Sequence, residues 1–186
     1  METICAPCSI IVAWAKFAKS ESPTNILNFL ESPTEESHPA YNCIDKACLV
    51  LQTAIANETW DTIWKNTTIF IVDDYHYINH HTTDYLCLKW CNPAPQDRSA
   101  PNLVVSSTDN HDQSYLKQTF NTQACDQLNA WLSGFESILK RIVPSNFNWF
   151  SHTMLFYHTR HVLERQNQRN NHGDKSDEDD SDKEVD

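Results

Sequence analysis

Glycine is almost absent from this chain, and its absence restricts the folds that the chain can adopt. Among 186 residues there are two glycines, Gly134 and Gly173. Tight β-turns and phosphate-cradling loops need backbone with positive φ, which glycine adopts at the lowest cost. The sequence therefore argues against a many-turned all-β fold. It also contains no Rossmann or P-loop glycine pattern, which excludes nucleotide-binding enzymes of those two classes.

The net charge of −11 is concentrated near one end of the sequence. Residues 174–186 contain eight acidic and two basic side chains. Elsewhere there is no Lys and Arg cluster of the kind that displaces counterions from a phosphate backbone. We therefore expect another protein as the partner, with a homodimer as an alternative, and no nucleic acid. Residues 167–186 are predicted to be a disordered acidic tail.

The distribution of apolar residues predicts an intracellular protein. No run of about 18 apolar residues exists that could span a membrane. The short apolar stretch from Ser9 to Ala15 follows Glu2 rather than a positive charge, so it is interpreted as a buried helix and not as a signal peptide. The seven cysteines are then expected to be reduced. Nucleus and cytoplasm are not distinguished.

Helical spacing of apolar residues predicts a mainly α fold, a single-domain helical bundle over residues 1–166. Two β-branched or alternating runs are predicted to be strands of a small irregular or β-hairpin insertion near 67–91. The insertion and the loop after it together cover 61–114. The predicted helices cover residues 9–19, 23–30, 32–38, 41–57, 115–143 and 147–166, and the predicted strands cover 67–72 and 84–90.

The tetrapeptide ESPT occurs twice, at residues 21–24 and 31–34. Ser followed by Pro is typical of a helix start, because Ser caps free N–H groups and Pro fits the first turn. The alternative is a pair of phosphorylation sites at Ser22 and Ser32. Ser176 and Ser181 in the acidic tail have acidic residues three positions later, a pattern that acidophilic kinases favour.

The segment HYINHHTTDYLCLKWC, residues 76–91, has the densest group of metal-ligand side chains. Zinc takes imidazole and thiolate ligands in tetrahedral sets of four. The spacing H-x3-H-x6-C-x3-C predicts such a set, and a bound zinc would stabilise an insertion that has little core of its own. The candidate ligands are His76, His80, His81, Cys87 and Cys91. The alternative is buried cysteines beside exposed histidines.

A second zinc arrangement combines Cys5 and Cys8 with Cys43 and Cys48, although burial in helices explains these cysteines equally well. Catalytic motifs are missing, since no nucleophile turn and no H-E-x-x-H helix is present. The pair Asp73 and Asp74 after the first predicted strand is interpreted as solvated rather than as acid–base groups. No catalytic residue is assigned.

Two segments resemble hepadnavirus core proteins. LESP at 30–33, followed by Pro39, Ala47, Leu49 and Thr59-Trp60, resembles the third-helix region of that family. WFSHTMLFYHTRHVLE at 149–164 resembles a later helix of the same spike hairpin. The resemblance implies a helical capsid subunit that dimerises through a four-helix bundle, with residues 61–115 as an enlarged spike. The arginine-rich tail of the family is replaced here by acidic residues.

These observations favour a small, non-enzymatic protein that acts by binding another protein, in an accessory or regulatory role of the kind that viral proteins have. Six Trp and eight Phe leave aromatic side chains for an interface. The alternatives are a capsid or assembly subunit, and a zinc-stabilised adaptor or a thiol or metal enzyme.

Overall fold

The computed structural model describes residues 1–17, 20–32, 38–79, 83–97 and 99–173. It is a mixed α/β protein, 48% helical and 16% strand, with three two-stranded sheets in the described part. The prediction of a mainly α helical bundle with a small irregular or β-hairpin insertion is therefore wrong. The strands are β1 (Glu2–Cys5), β2 (Ile11–Ala15), β3 (Tyr41–Cys43), β4 (Ile69–Ile71), β5 (Val104–Thr108) and β6 (Ser114–Gln118). The helices are α1 (Pro23–Glu31), α2 (Ala47–Ala56), a π-helix (Trp60–Trp64), α3 (Asp74–Tyr77), α4 (Tyr85–Trp90), α5 (Ala124–Ser133), α6 (Glu136–Leu139) and α7 (Pro144–Gly173).

The chain forms two compact units. The first contains residues 1–2 and 13–123, and the second contains residues 3–12 and 124–186. Within the described residues, no helix is long and apolar enough to cross a membrane. The predicted domain 1–166 stays a prediction, although α7 continues past its end, to Gly173.

The centre of the first unit is a β–α–β arrangement. Strands β3 and β4 are parallel, with Tyr41 opposite Ile69 and Cys43 opposite Ile71. Parallel strands need a crossover connection, and α2 with the π-helix provides it. The predicted helix over 41–57 is thus correct only from residue 47 onward, since its first residues form β3.

Strand β4 is buried on both faces, which explains its β-branched and aromatic composition. Phe70 contacts the larger core, which includes Leu51 of α2 and Trp64 of the π-helix. Ile71 points to a smaller core with Leu103. The prediction of a strand over 67–72 is confirmed for Ile69–Ile71, but this strand pairs in parallel with β3 and not in a local hairpin.

The second strand of the predicted hairpin is wrong, because residues 84–90 form helix α4. Asp84 is its N-cap, and the Asp84 carboxylate accepts a hydrogen bond from the Cys87 N–H at 3.1 Å. A short apolar run cannot be assigned from alternation alone, since a buried helix turn produces a similar pattern. The cap residue was the signal that identifies the helix here.

The N-terminal residues are also different from the prediction. Instead of a helix over 9–19, strands β1 and β2 pair, and residues 18–19 lie outside the described part. The turn between the strands has Ser9 at φ 67°, and the Ser9 N–H donates to the Ala6 oxygen at 2.8 Å. Three consecutive β-branched residues, 10–12, favour extended backbone over helix.

The long helix predicted over 115–143 is replaced by three shorter elements, β6, α5 and α6. Strand β6 pairs antiparallel with β5, with Val104 opposite Gln118. The turn of this hairpin is organised by Asp109, whose carboxylate accepts from the N–H groups of His111 and Gln113 at 2.8 and 2.9 Å. Part of the loop predicted over 92–114 is therefore strand.

Two helix predictions are confirmed. Helix α1 begins after Ser22, whose hydroxyl accepts from the Asn25 N–H at 3.2 Å, with Pro23 in the first turn. Helix α7 contains all of the predicted 147–166. The helix predicted from Ser32 falls on residues 33–37, outside the described part, and Ser32 itself ends α1. The described residues within 61–115 form short helices and strands, whereas the resemblance to core proteins implied an enlarged spike there.

Candidate functional site

Three cysteines and one carboxylate come together in the first unit where α2 packs against α4. We call Cys48, Cys87, Cys91 and Asp84 the thiol cluster. Ligand atoms of Cys48, Asp84 and Cys87 all lie within 4.8 Å of one another. Cys91 follows Cys87 by one helical turn, and the Cys91 N–H donates to the Cys87 oxygen at 3.2 Å. The three thiols are buried, and Asp84 is half-buried.

Burial keeps these thiols protonated when no cation is bound. Desolvation, with a smaller effect from Cys48, raises the pKa of Cys87 to about 12. The pKa of Cys48 is also raised by burial and by the charge of Asp84. Burial raises the pKa of Cys91 too, and the neighbouring Cys48 and Cys87 add to it. The cluster is therefore a poor nucleophile, because the thiolate is the reactive form.

A second group lies at the carboxyl ends of β3 and β4. Asp73 is 2% exposed and caps α3, accepting from the Tyr75 and His76 N–H groups at 2.9 and 3.1 Å. Its second oxygen lies 2.5 Å from His76 Nδ1, and an Asp45 oxygen lies 3.5 Å from the same nitrogen. The expectation of a solvated Asp73 is thus wrong. The carboxylate is retained in the interior by these hydrogen bonds.

The predicted zinc ligands are divided by the fold. His76 is in the group of Asp45 and Asp73, whereas Cys87 and Cys91 belong to the thiol cluster. His80 and His81 lie outside the described residues. Cys48 had been grouped with other cysteines, and Asp84 had not been considered as a ligand. The packing of α2 against α4 brings Cys48 to Cys87, whereas Asp84 is already beside Cys87 as the N-cap of α4. The zinc prediction for the five original residues stays a prediction.

A separate pair of cysteines lies in the second unit. The Cys125 thiol donates to the Thr3 oxygen at 3.5 Å, and the Cys5 thiol also forms a hydrogen bond with Cys125. The hydrogen bond from Cys5 lowers the pKa of Cys125 to about 7 and raises the pKa of Cys5. The sequence carried no signal for this pair, because its members are far apart in the chain.

Helix α7 exposes an apolar stripe on the face away from its buried side. Leu155 is 3% exposed and Ser151 is buried beside it. In contrast, Trp149 is 72% exposed, and Phe156 and Leu163 are also exposed. These three residues are spaced by seven, so they stay on one side of the helix with a drift of only about 20° per step. We call Trp149, Phe156 and Leu163 the α7 stripe.

The four serines predicted to be phosphorylated lie partly within the described residues. Ser22 acts as the N-cap of α1, which confirms the capping interpretation, and Ser32 is exposed at the end of that helix. Ser176 and Ser181 lie outside the described residues. Modification of the four serines stays a prediction.

Comparison with protein-family models, curated proteins and solved structures found no match for this chain.

Proposed function

We propose that this protein is a non-enzymatic protein-interaction module, and that its binding element is the α7 stripe. The observation that carries the proposal is the exposure of Trp149, Phe156 and Leu163 along one side of a helix whose other side is already buried. Exposed apolar surface of this kind marks interaction sites, and Trp is enriched among the residues that dominate binding energy.

The spacing of the stripe indicates the shape of the partner. A second helix that packs beside α7 can cover all three stripe residues along their length. We propose a helix of another protein. The stripe face also carries Arg160, whose Nε lies 3.3 Å from Glu164 of the same helix. A second copy of α7 would place Arg160 opposite Arg160 or His152, whereas a different helix can offer it a carboxylate.

The proposal is non-enzymatic because the Asp73 group and the thiol cluster have features that disfavour catalysis. The Asp73 carboxylate is engaged as a helix cap and by His76, and burial raises the pKa of the cluster thiols. None of the seven cysteines is in a disulfide bond. Free thiols are usual in reducing compartments, which supports an intracellular site of action.

The test uses a displayed library of amphipathic helical peptides that carry Leu or Ile every seven residues and Glu beside them. Selected peptides should bind the full chain and lose about 30-fold or more in affinity on Trp149→Ala or Phe156→Ala. Tyr115→Ala is the matched control, because Tyr115 is an exposed aromatic on β6. Binding that is insensitive to both stripe changes would overturn the proposal.

Arg160 gives a second arm to the same experiment. Arg160→Glu should weaken a Glu-bearing peptide, and a Lys-bearing peptide should restore binding to that variant. Sedimentation of the chain alone tests whether a second copy of the chain, and not another protein, binds the α7 stripe. A dimer that dissociates on Phe156→Ala would show that the stripe binds a second copy, which contradicts the proposed partner.

A further inference from the structure

We propose that the thiol cluster is a zinc site in which Cys48, Asp84, Cys87 and Cys91 are the four ligands. The site is independent of the α7 stripe and has its own test. It also differs from the zinc set that the sequence suggested, because Cys48 and Asp84 replace the histidines.

Three of the four proposed ligand atoms are close to tetrahedral spacing before the metal binds, and the Cys91 thiol has to move toward them to complete the set. With Zn–S bonds of about 2.3 Å, ligand atoms around a tetrahedral zinc lie about 3.8 Å apart. The ligand atoms of Cys48, Asp84 and Cys87 are all within 4.8 Å of one another, so small side-chain rotations bring them to that distance. Cys91 is on the same side of α4 as Cys87, one turn later, and interacts electrostatically with the other three groups.

The surroundings favour thiolates once a cation is present. Cys48 is in the first turn of the ten-residue helix α2, where the Leu49 N–H and its own N–H stabilise a negative sulfur. Cys87 and Cys91 are 0% exposed, so a bound zinc would be protected from water. Asp84 is half-buried, so an ion can reach the site from solvent past its carboxylate. This combination of three thiolates and one carboxylate suits zinc better than magnesium or calcium.

A zinc here would tie α2 to α4. The two helices are adjacent in space but distant in sequence, and α4 has only six residues. Such a short helix gains stability from a metal ligand pair on one side. The site would therefore be structural, and metal removal should loosen α4 more than α2.

The experiment measures metal binding to the full chain, first stripped with a chelator and then titrated with Zn²⁺ and Co²⁺. We expect one ion per chain, and thiolate-to-Co²⁺ charge-transfer absorption with the visible bands of a tetrahedral site. Cys48→Ala, Cys87→Ala and Cys91→Ala should each reduce that absorption. Cys8→Ala is the matched control, because Cys8 is exposed and belongs to the second unit.

Asp84→Asn is included because the cysteine variants could lose metal binding simply by failing to fold. Asn still accepts the Cys87 N–H bond and caps α4, but it removes the charge. Loss of an outer-shell partner costs about 10–100-fold in metal affinity, so loss of this ligand should cost at least that much. The proposal fails if the chain binds no zinc, or if Asp84→Asn and Cys87→Ala bind as the parent does. It also fails if His76→Ala abolishes binding while Cys87→Ala does not.

Discussion

Cys125 and the cysteines of the thiol cluster have opposite chemistry, although their side chains are identical. In the thiol cluster of the first unit, burial raises the pKa values of Cys48, Cys87 and Cys91. In the second unit, a hydrogen bond from Cys5 lowers the pKa of Cys125. The difference shows that the environment, and not the residue type, decides whether a cysteine packs, binds metal or reacts.

The largest effect that we predict is the difference between the alkylation rates of Cys125 and Cys87. At pH 7, a pKa of about 7 leaves about half of Cys125 ionised, whereas a pKa of about 12 leaves on the order of 10⁻⁵ of Cys87 ionised. The lower intrinsic nucleophilicity of the more acidic thiol offsets part of this ratio. With chelator present, we expect iodoacetamide to modify Cys125 on the order of 10²-fold faster than Cys87, as followed by peptide mass mapping.

Denatured protein provides the control for this comparison, since all cysteines should then react at similar rates. Equal rates for Cys87 and Cys125 in the native protein would contradict the contrast between the groups.

The pH dependence of unfolding should have one sign for the cluster thiols and the opposite sign for Cys125. A buried thiol whose pKa is raised stays protonated in the folded state, while the unfolded chain ionises near pH 8.5. Above that pH the metal-free chain should lose about 1.4 kcal/mol of unfolding free energy per pH unit for each such thiol. Urea unfolding in chelator at several pH values measures the slope of unfolding free energy against pH. Cys87→Ala should reduce that slope by about 1.4 kcal/mol per pH unit, the contribution of one proton.

Cys125 should contribute in the other direction. Its folded pKa of about 7 lies below the unfolded value, so its contribution to stability grows as pH rises from 7 to about 8.5 and is lost as pH falls through 7. Cys125→Ala should remove this rise. A slope that Cys125→Ala leaves unchanged would show that the lowered pKa is not a property of the native protein.

The donor on Cys5 can be tested by two substitutions. Cys5→Ala removes the group that stabilises the Cys125 thiolate, and we expect about tenfold slower alkylation of Cys125 at pH 7. Cys5→Ser keeps a donor at the same position and should slow the reaction less. The midpoint of the pH–rate profile distinguishes a pKa change from a change in access, because only the former moves it. Identical profiles for the two variants would exclude the hydrogen bond as the cause.

Local signals in the sequence were sufficient where one short-range interaction decides the structure. Ser22-Pro23 identified the start of α1, and the β-branched run identified β4. The same reasoning failed for residues 9–19 and 84–90, because a short apolar run fits either period. For 115–143, a helical stripe of apolar residues continued through residues that in fact pair with β5. Tertiary pairing outweighs spacing there.

The candidate sites could be predicted only in part for a related reason. Cys87 and Cys91 are neighbours on one helix, so spacing alone grouped them. Cys48 is brought to them by the β–α–β crossover, and Asp84 was hidden by its role as a helix cap. The α7 stripe was present in the sequence, but spacing does not say which side of a helix is already covered. These relations depend on long-range packing, which one sequence does not encode locally.

The scarcity of glycine argued correctly against an all-β fold, but the turns of the chain show that positive φ does not require glycine, and this leads to the smallest effect that we predict. Turns in this chain use positive φ without glycine, at Ser9, Glu58, Asn102 and Asp112.

Glu58 is the exposed residue after the α2 C-cap, at φ 61°, where glycine is the usual residue. Glu58→Gly should therefore stabilise the C-terminal end of α2 by about 1 kcal/mol. Cys48 lies in the first turn of the same helix. Opening-limited alkylation of Cys48 should slow about fivefold, while Cys125 reacts as before. Glu58→Ala is the matched control, because it removes the same charge but keeps the Cβ that makes positive φ costly. If Ala protects Cys48 as well as Gly does, charge and not backbone strain limits the end of α2.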